Sequence, residues 1–451
     1  MTRSPEADVR RRASEAPATV VLIALGLGAA GTIWYTGSEA RETWASPFLW
    51  GYAGAWLCYV IAGVLVSRAR LPRWALVWIV VAAVGLRVVA LERTPPLSTD
   101  VYRYLWDGRV ANAGINPFRY APNAPEVKHL RDENWRQINF KHISTIYPPT
   151  AEMLFAGLAR VRDGDMEAFR WTFALFDMGS VLLLIALLRR TGRPPERVVW
   201  YAWCPLAVME TTAGAHVDAA GLFLLLLAFV LVSRKDSKPG LGSGIALAAA
   251  VMAKGYALLA APFFLRRGGW RVAGAFVIAC ALLLLPYLGA GMQLFGGLRA
   301  YVGAWQTNAS IFLVVDRLLE RATDDHFGWA RALTVGVVLL IVAALARRQK
   351  PGMEPLMGAS FAAIGAQLFI GAPTLPWYGI WLVPALCWWA IPGLVLFTLT
   401  VSAQYYARWL FPGDEAADYA LLWAGYVPVY LLLVGQVIWW RLRRSAPSRS
   451  P

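Results

Sequence analysis

The chain has 451 residues, of which 58% are apolar and 16% are charged. Soluble domains carry about 45–50% apolar and about 25% charged residues, so this composition excludes an ordinary soluble protein. The 22 tryptophans point the same way, because tryptophan is enriched at membrane–water interfaces. The net charge is +15, but the basic residues form short tracts beside apolar segments. That pattern orients a membrane protein and argues against nucleic-acid binding.

Apolar segments of about the length that crosses a bilayer recur along the chain. We predict an all-α polytopic membrane domain over residues 18–440, with about 12 transmembrane helices and basic cytoplasmic tails at residues 1–17 and 441–451. The first apolar segment lacks a convincing cleavage site and is expected to remain as an anchor. The predicted spans are residues 18–35, 50–66, 74–91, 171–188, 198–212, 219–232, 272–288, 329–345, 356–370, 377–391, 393–407 and 420–440.

Two long segments between spans are predicted to form outer loops. Residues 92–146 are the most polar stretch of the chain, and residues 289–328 form the second loop. Loops longer than about 15 residues are usually functional or disordered. The many aromatic side chains of the first loop favour an ordered, functional one.

Residues 240–265 are apolar but have basic residues on both sides. A single crossing would put one basic flank outside, so the pattern favours a re-entrant hairpin that turns near Lys254 and Gly255. Irregular backbone at membrane depth is tolerated only where protein or a water-filled cavity covers it. The sequence therefore predicts a cavity near Lys254.

The segment from Asp100 to Arg109 has helical spacing and follows Ser98 and Thr99, which could cap a helix. Asp100, Arg103 and Asp107 would then share one face. One interpretation is a solvated helix at the membrane interface. The other is a carboxylate aimed into a cavity, with arginine beside it for an anionic ligand.

Several ionisable residues lie in or beside the apolar segments, where a charge is costly unless it is paired or functional. They are Asp177, Glu210, His216, Asp218 and Lys254. An internal ion pair, such as Lys254 with Asp177 or Asp218, would explain some of them structurally. Together with the polar outer loop, they suggest a charged substrate handled at the outer leaflet.

At these residues the chain resembles the GT-C glycosyltransferases, in particular bacterial mannosyltransferases that use polyprenol-phosphate-mannose. The resemblance spans about residues 95–390. Two positions depart from the family's usual residues: Cys204 stands where Asn is common, and Ala215 where Gly is common. The motifs that carry it are Ser98 to Gly108, Gly114 to Tyr120, Trp203 to Leu206 with Ala215 to Asp218, Met252 to Tyr256, and Pro376 to Tyr378 with Trp381 to Pro384.

This resemblance implies a GT-C-like fold and an inverting transfer of a sugar, commonly mannose, from a polyprenyl-phosphate donor to a lipid-linked or glycan acceptor. The reaction would take place on the periplasmic or exterior side of a bacterial inner membrane, without a metal or cofactor. Asp100 corresponds to the catalytic carboxylate, with Asp107 as its rival. Lys254 is the first candidate for stabilising the leaving phosphate, and Arg103, Arg109 and His216 are further candidates. The remaining expected substrate contacts are Tyr147, Asp218, Trp377 and Tyr378.

Two other classes of protein stay open on the residues alone. A transporter or lipid flippase would use the same intramembrane charges as a substrate path. A non-catalytic membrane scaffold would not explain why Lys254 and Asp218 lie in or beside apolar segments. Arabinofuranose and glucose remain alternatives to mannose as the transferred sugar.

Overall fold

The computed structural model describes residues 5–37, 45–94, 98–233, 240–402, 405, 411 and 413–445, and every regular element among them is helical. The basic residues 234–238 and part of the predicted span 393–407 lie outside the described residues. The α-helices are α1 (Pro5–Tyr35), α2 (Ala45–Arg68), α3 (Ala75–Arg93), α4 (Asp100–Asn112), α5 (Glu133–Arg136), α6 (Pro149–Val161), α7 (Met166–Arg190), α8 (Val199–Ala202), α9 (Pro205–Val208), α10 (Asp218–Val232), α11 (Leu241–Ala253), α12 (Ala261–Leu284), α13 (Gly296–Ala304), α14 (Ser310–Leu319), α15 (His326–Arg348), α16 (Met353–Ile370), α17 (Val383–Leu386), α18 (Pro392–Thr400) and α19 (Glu415–Ser445). A π-helix covers Met209–Ala213, and 3₁₀-helices cover Pro125–Leu130, Pro195–Val198, Gly255–Ala260, Leu285–Phe295 and Pro376–Leu382.

Eight helical segments among the described residues are long and apolar enough to cross a bilayer. They are Ala16–Tyr35, Pro47–Arg68, Ala75–Arg93, Met166–Arg190, Gly255–Ala304, His326–Arg348, Met353–Ile370 and Glu415–Leu442. The all-α, multi-pass prediction is therefore confirmed.

Four of the twelve predicted spans are not matched by such a helix. Residues 198–212 and 377–391 are broken into short helical pieces, α10 is a shorter apolar helix, and α18 ends at Thr400. The count of twelve crossings stays a prediction. Both predicted tails are partly helical, because α1 begins at Pro5 and α19 continues to Ser445.

Local sequence signals position the helices that carry polar side chains. The backbone N–H of Asp100, the first residue of α4, donates to Oγ of Ser98 at 3.2 Å, while the N-cap residue Thr99 makes no side-chain capping bond. Helix α6 begins at Pro149, where a missing N–H costs nothing. Helix α4 then packs against α6. Gly108 permits this close approach, since a Cβ there would lie 2.4 Å from the carbonyl oxygen of Phe155.

The chain reverses direction at Lys254, as the flanking charges predicted. Helix α11 ends at Ala253, and Lys254 has extended backbone angles (φ −155°, ψ 125°). The returning chain comes back beside the start of α11, because a Cβ at Gly244 would lie 2.5 Å from the carbonyl oxygen of Val272. The Gln349 side chain donates to the carbonyl of Phe263 at 3.4 Å, so the returning chain reaches the basic end of α15.

Other contacts bring further basic tracts to that same end of the bundle. Arg190, at the end of α7, donates to the carbonyl of Val230 at 2.5 Å. Arg193 pairs with Glu354, at the start of α16, at 2.8 Å. Basic tracts that are far apart in sequence therefore lie together, as an orientation set by positive charge requires.

A buried ion pair ties α3 to α7 inside the bundle. Nη2 of Arg87 lies 2.6 Å from Oδ2 of Asp177, and both side chains are buried. The hydroxyl of Tyr201 donates to Oδ1 of Asp177 at 2.5 Å. Asp177 is thus paired with Arg87 and not, as one alternative had it, with Lys254.

Candidate active site

A polar cavity of about 410 Å³ lies at the start of α4. It collects side chains from both predicted outer loops and from the broken segment after α16. It is lined by Ser98, Thr99, Asp100, Arg103, Asn139, Phe140, Ile143, Ile146, Tyr147, Lys254, Tyr301, Trp305, Thr307, Leu375, Trp377, Tyr378 and Tyr405. Six of the predicted site residues are therefore brought together: Asp100, Arg103, Tyr147, Lys254, Trp377 and Tyr378.

Asp100 presents its carboxylate to this cavity from the first turn of α4. Nδ2 of Asn139 donates to Oδ1 of Asp100 at 3.3 Å and to Oγ1 of Thr99 at 3.1 Å. Burial raises the pKa of the Asp100 carboxyl above its ordinary value, while the positive charge of Lys254 opposes the rise. Asp100 is therefore a more basic carboxylate than an exposed aspartate.

Lys254 reaches the cavity from the break that follows α11. Its Nζ lies 3.0 Å from Oδ2 of Asp218, at the start of α10. The ammonium also lies 4.9 Å from the ring centre of Tyr378 and 5.7 Å from that of Tyr147. Nε1 of Trp381 donates to Oδ1 of Asp218 at 2.8 Å and fixes the carboxylate. The alternative pairing of Lys254 with Asp218 is present in the structure.

An apolar cavity, also about 410 Å³, lies on the other side of Lys254. Its wall includes Leu258, Leu259, Leu298, Val302 and Val335, with Arg331 among the polar lining residues. The two cavities share the side chains of Ile146, Tyr147, Lys254, Tyr301 and Tyr378. Lys254 therefore stands where a polar space meets an apolar one.

Arg103 lines the polar cavity, and Asp107 lies behind it. Nε of Arg103 donates to both carboxylate oxygens of Asp107 at 2.9 Å, and Nη1 donates to the carbonyl of Ile143 at 3.0 Å. Thr145 donates to Oε1 of Glu152 at 2.6 Å. Burial raises the pKa of Glu152 well above its ordinary value, and the adjacent Asp107 charge raises it further. Asp107 lines neither cavity and holds Arg103 in place.

Arg109 and His216 also line neither cavity. Arg109 joins two parts of the outer region, with Nη1 at 2.5 Å from Asp132 and Nε at 3.0 Å from Asp163. His216 is fully buried and stacks on Trp377, with ring centres 3.9 Å apart. Arg109 therefore stabilises the outer region away from the site. His216 packs beneath the site, against Trp377.

The segment before His216 is locally unusual. The π-helix Met209–Ala213 carries the buried Glu210, whose Oε2 lies 3.3 Å from Nε2 of His216. The hydroxyl of Tyr405 donates to the same Oε2 at 3.1 Å. Ala215 has a left-handed backbone (φ 51°), which explains why glycine suits this position.

Sequence reasoning missed several lining residues, namely Asn139, Phe140, Tyr301, Trp305, Thr307 and Tyr405. Asn139 and Phe140 lie in the loop already singled out for its aromatic content, and that density was the available signal. Tyr301 and Trp305 come from residues 289–328, which fold into helices α13 and α14 with a 3₁₀-helix before them. Among the described residues, no group of three or more His, Cys, Asp or Glu could hold a metal ion.

The fold and the cavities define a polytopic helical membrane protein in which a carboxylate and a lysine face one polar space beside an apolar one. The chain belongs to a family of mannosyltransferases. The family model described as "Alpha-(1->6)-mannopyranosyltransferase, N-terminal domain" matches residues 14–267, which is more than half of the chain. This membership confirms the mannosyltransferase class predicted from the motifs and selects an enzyme over the transporter and the scaffold.

Two individual proteins are similar to this chain. One, from Mycolicibacterium smegmatis, is named "Probable alpha-(1->6)-mannopyranosyltransferase"; it is 25% identical in an alignment 411 residues long, and the match covers 77% of this chain and 71% of the relative. The other is the crystal structure of ArnT from Cupriavidus metallidurans bound to undecaprenyl phosphate, with a TM-score of 0.45 and 13% identity. That match covers 79% of this chain and 76% of ArnT.

Proposed function

We propose that this mannosyltransferase takes mannose from a polyprenyl-phosphate donor and transfers it, with inversion, to a lipid-linked or glycan acceptor. The observation that carries the proposal is the position of Lys254, which lines both the polar cavity containing Asp100 and the adjoining apolar cavity. A lipid-linked sugar phosphate has the same order of parts: an apolar chain, an anion and a polar sugar. The family description supports mannose and an α-(1→6) linkage.

The donor fits the two cavities in one orientation. Its prenyl units would occupy the apolar cavity, because burying apolar surface there is favourable. Its phosphate would meet the ammonium of Lys254, and its sugar would enter the polar cavity beside Tyr147, Trp377 and Tyr378. Arg103 lines this cavity as a second cation for the anionic donor.

The chemistry is a single displacement. The acceptor hydroxyl oxygen attacks the anomeric carbon, and the bond from that carbon to the phosphate oxygen breaks. The hydroxyl proton passes to the Asp100 carboxylate, which acts as the general base. The bonding electrons leave with polyprenyl phosphate, whose growing charge Lys254 stabilises. Because phosphate is a good leaving group, no separate acid is needed to protonate it, in contrast to glycosidases.

The charge distribution supports a site on the outer side of the membrane. Arg190, Arg193 and Gln349 mark the end of the bundle where basic tracts gather. Positive-inside orientation puts that end in the cytoplasm, and the polar cavity then opens toward the periplasm or exterior of a bacterial inner membrane. Reporter fusions after Ala124 and after Ser445 test this orientation, and equal reporter behaviour at both sites would refute it.

Replacing the base tests the proposed chemistry. Asp100→Asn keeps the shape and loses the basicity, so transfer from polyprenyl-phosphate-mannose should fall by about 10²–10⁴-fold. Binding of polyprenyl phosphate and thermal stability should stay near those of the wild type. Asp163→Asn, on an exposed carboxylate, is the matched control and should keep its activity. Retention of more than about half of wild-type turnover by Asp100→Asn would overturn its role as the base.

A further inference from the structure

Phe140 has a conformation that calls for an explanation. Its backbone is left-handed (φ 46°), a genuine outlier for a bulky side chain, and the residue is 49% exposed. Strained backbone of this kind persists only where surrounding contacts hold it, and it concentrates at ligand sites. Here the preceding residue, Asn139, is hydrogen-bonded to Asp100 and Thr99, and Ile143 N–H donates to the Phe140 carbonyl at 3.0 Å.

The exposed ring of Phe140 belongs to an aromatic platform with Trp305. The ring centres of Phe140 and Trp305 are 4.5 Å apart, with planes tilted by 58°. The backbone of Trp305 is fixed, because its carbonyl accepts from Nη2 of Arg331 at 2.7 Å. Both aromatic residues line the polar cavity that holds Asp100.

The same platform also borders an outer cavity of about 590 Å³. The outer cavity and the polar cavity share Phe140, Ile143 and Trp305. Arg119, His142, Ser144 and Gln293 line the outer cavity, and within the described part of the chain their side chains make no hydrogen bond or ion pair. The outer cavity thus offers hydrogen-bonding side chains beside an aromatic surface.

We infer that the outer cavity and the Phe140–Trp305 platform form the acceptor subsite, in which a sugar ring of the acceptor packs on the two aromatic rings. This inference rests on the proposed function. A pyranose ring has an apolar C–H face that packs on aromatic rings and a rim of hydroxyls that needs donors and acceptors. Phe140, Trp305 and Asp100 line the same polar cavity, so a hydroxyl of a sugar bound on the platform could enter the space that Asp100 faces.

A second polar space offers a competing position for the acceptor. This side cavity of about 440 Å³ is lined by Glu415, Asp418 and Tyr419 among others, and it shares Thr307 with the polar cavity. It shares neither ring of the platform with the polar cavity. The outer cavity shares three lining residues with the site of chemistry, which favours it as the acceptor path.

The test separates acceptor binding from donor binding. Phe140→Gly removes the ring and also relieves the left-handed strain, so the protein should stay folded. With a soluble alkyl mannoside as acceptor, this variant should raise the acceptor KM by about tenfold, and Trp305→Leu should do the same. Phe140→Tyr keeps the ring and should stay near the wild type. The donor KM and the binding of polyprenyl phosphate should not change in any of these variants.

Tyr419→Ala, in the side cavity, is the matched control and should leave the acceptor KM unchanged. An unchanged acceptor KM in Phe140→Gly, an equal rise in donor KM, or a rise in acceptor KM caused by Tyr419→Ala instead would overturn the acceptor subsite. Wild-type protein that moves no mannose from the lipid donor would overturn the proposed function itself. The two failures are therefore distinguishable.

Discussion

Two buried ion pairs in this protein look alike in sequence and differ in their surroundings. Arg87 with Asp177 and Lys254 with Asp218 each set one cation against one carboxylate among apolar helices, at 2.6 Å and 3.0 Å. The guanidinium of Arg87 also donates to the backbone carbonyls of Ala83 and Ala202, and it is almost completely enclosed. Lys254 lines two cavities.

The comparison shows what separates an enclosed charge from one that a ligand can reach inside a membrane protein. Both pairs meet the cost of a buried charge by having a partner. Only in the pair that borders a cavity can the cation contact a ligand as well as its carboxylate partner. Access to a cavity, more than burial or pairing, therefore distinguishes Lys254 from Arg87.

The largest expected effect comes from breaking the enclosed pair. Arg87→Met leaves the Asp177 charge buried and uncompensated, which should destabilise the protein by about 3–5 kcal/mol. Turnover per folded molecule should stay within about twofold of the wild type. The measurements are thermal unfolding in detergent and transfer normalised to folded protein. Arg87→Met combined with Asp177→Leu should recover much of the stability. A selective loss of donor affinity in Arg87→Met would show that Arg87, like Lys254, acts on the donor.

Breaking the open pair should act on the reaction first. Lys254→Met removes the cation proposed to meet the leaving phosphate, so transfer should slow by about 10²–10³-fold. Affinity for polyprenyl phosphate should fall as well. Combining Lys254→Met with Asp218→Asn should restore any lost stability without restoring activity. Unchanged lipid affinity together with a collapsed melting temperature would show Lys254 to be as structural as Arg87.

A smaller effect should appear in the pH dependence of transfer. Burial raises the pKa of Asp100, and the positive charge of Lys254 holds that rise back. A general base is inactive when protonated, so kcat/KM should fall as pH drops through this raised pKa. Lys254→Met should move this acidic limb to higher pH. Residual activity of the variant, measured against pH, gives the direction, and a shift to lower pH would contradict the electrostatic coupling.

The smallest effect is expected at Arg109. Its two ion pairs are partly exposed, with Asp163 more than half exposed, and such pairs contribute about 1 kcal/mol or less. Arg109→Gln should therefore keep more than about half of the wild-type transfer rate with an unchanged donor KM. A large rise in donor KM would return Arg109 to the site, where sequence reasoning had placed it.

The sequence motifs were enough to find Asp100, Lys254 and the cavity between them. Helical spacing also placed Asp107 on the same face as Asp100, but it says little about depth. Seven residues correspond to about 10 Å along a helix, which takes Asp107 away from the polar cavity and toward Glu152. Helical periodicity predicts which residues share a face of the helix. It does not predict how far along that face a cavity extends, because the extent of a cavity depends on the packing of neighbouring helices.

Pairings across the fold were harder to predict because they depend on which helices become neighbours. Arg87 lay inside a predicted span and was not considered as a partner for Asp177, which is 90 residues away. The sequence likewise did not predict that the polar cavity is lined by Tyr301, Trp305 and Tyr405, because these residues come from segments that are distant in sequence and meet only in the fold. The broken segments 198–213 and 376–386 read as ordinary apolar spans, since backbone breaks leave little trace in hydropathy.

The contact between Lys254 and Asp218 has a consequence for the end of the reaction cycle. With the proposed polyprenyl-phosphate donor, the product left after sugar transfer would be a lipid phosphate that carries more negative charge than the donor did. An isolated ammonium beside an apolar cavity would hold this product tightly and block the next turnover. Asp218, 3.0 Å from Nζ of Lys254, competes for the same charge and is fixed by Trp381. We therefore expect the Asp218 carboxylate to weaken the binding of this product to Lys254 and to favour its release.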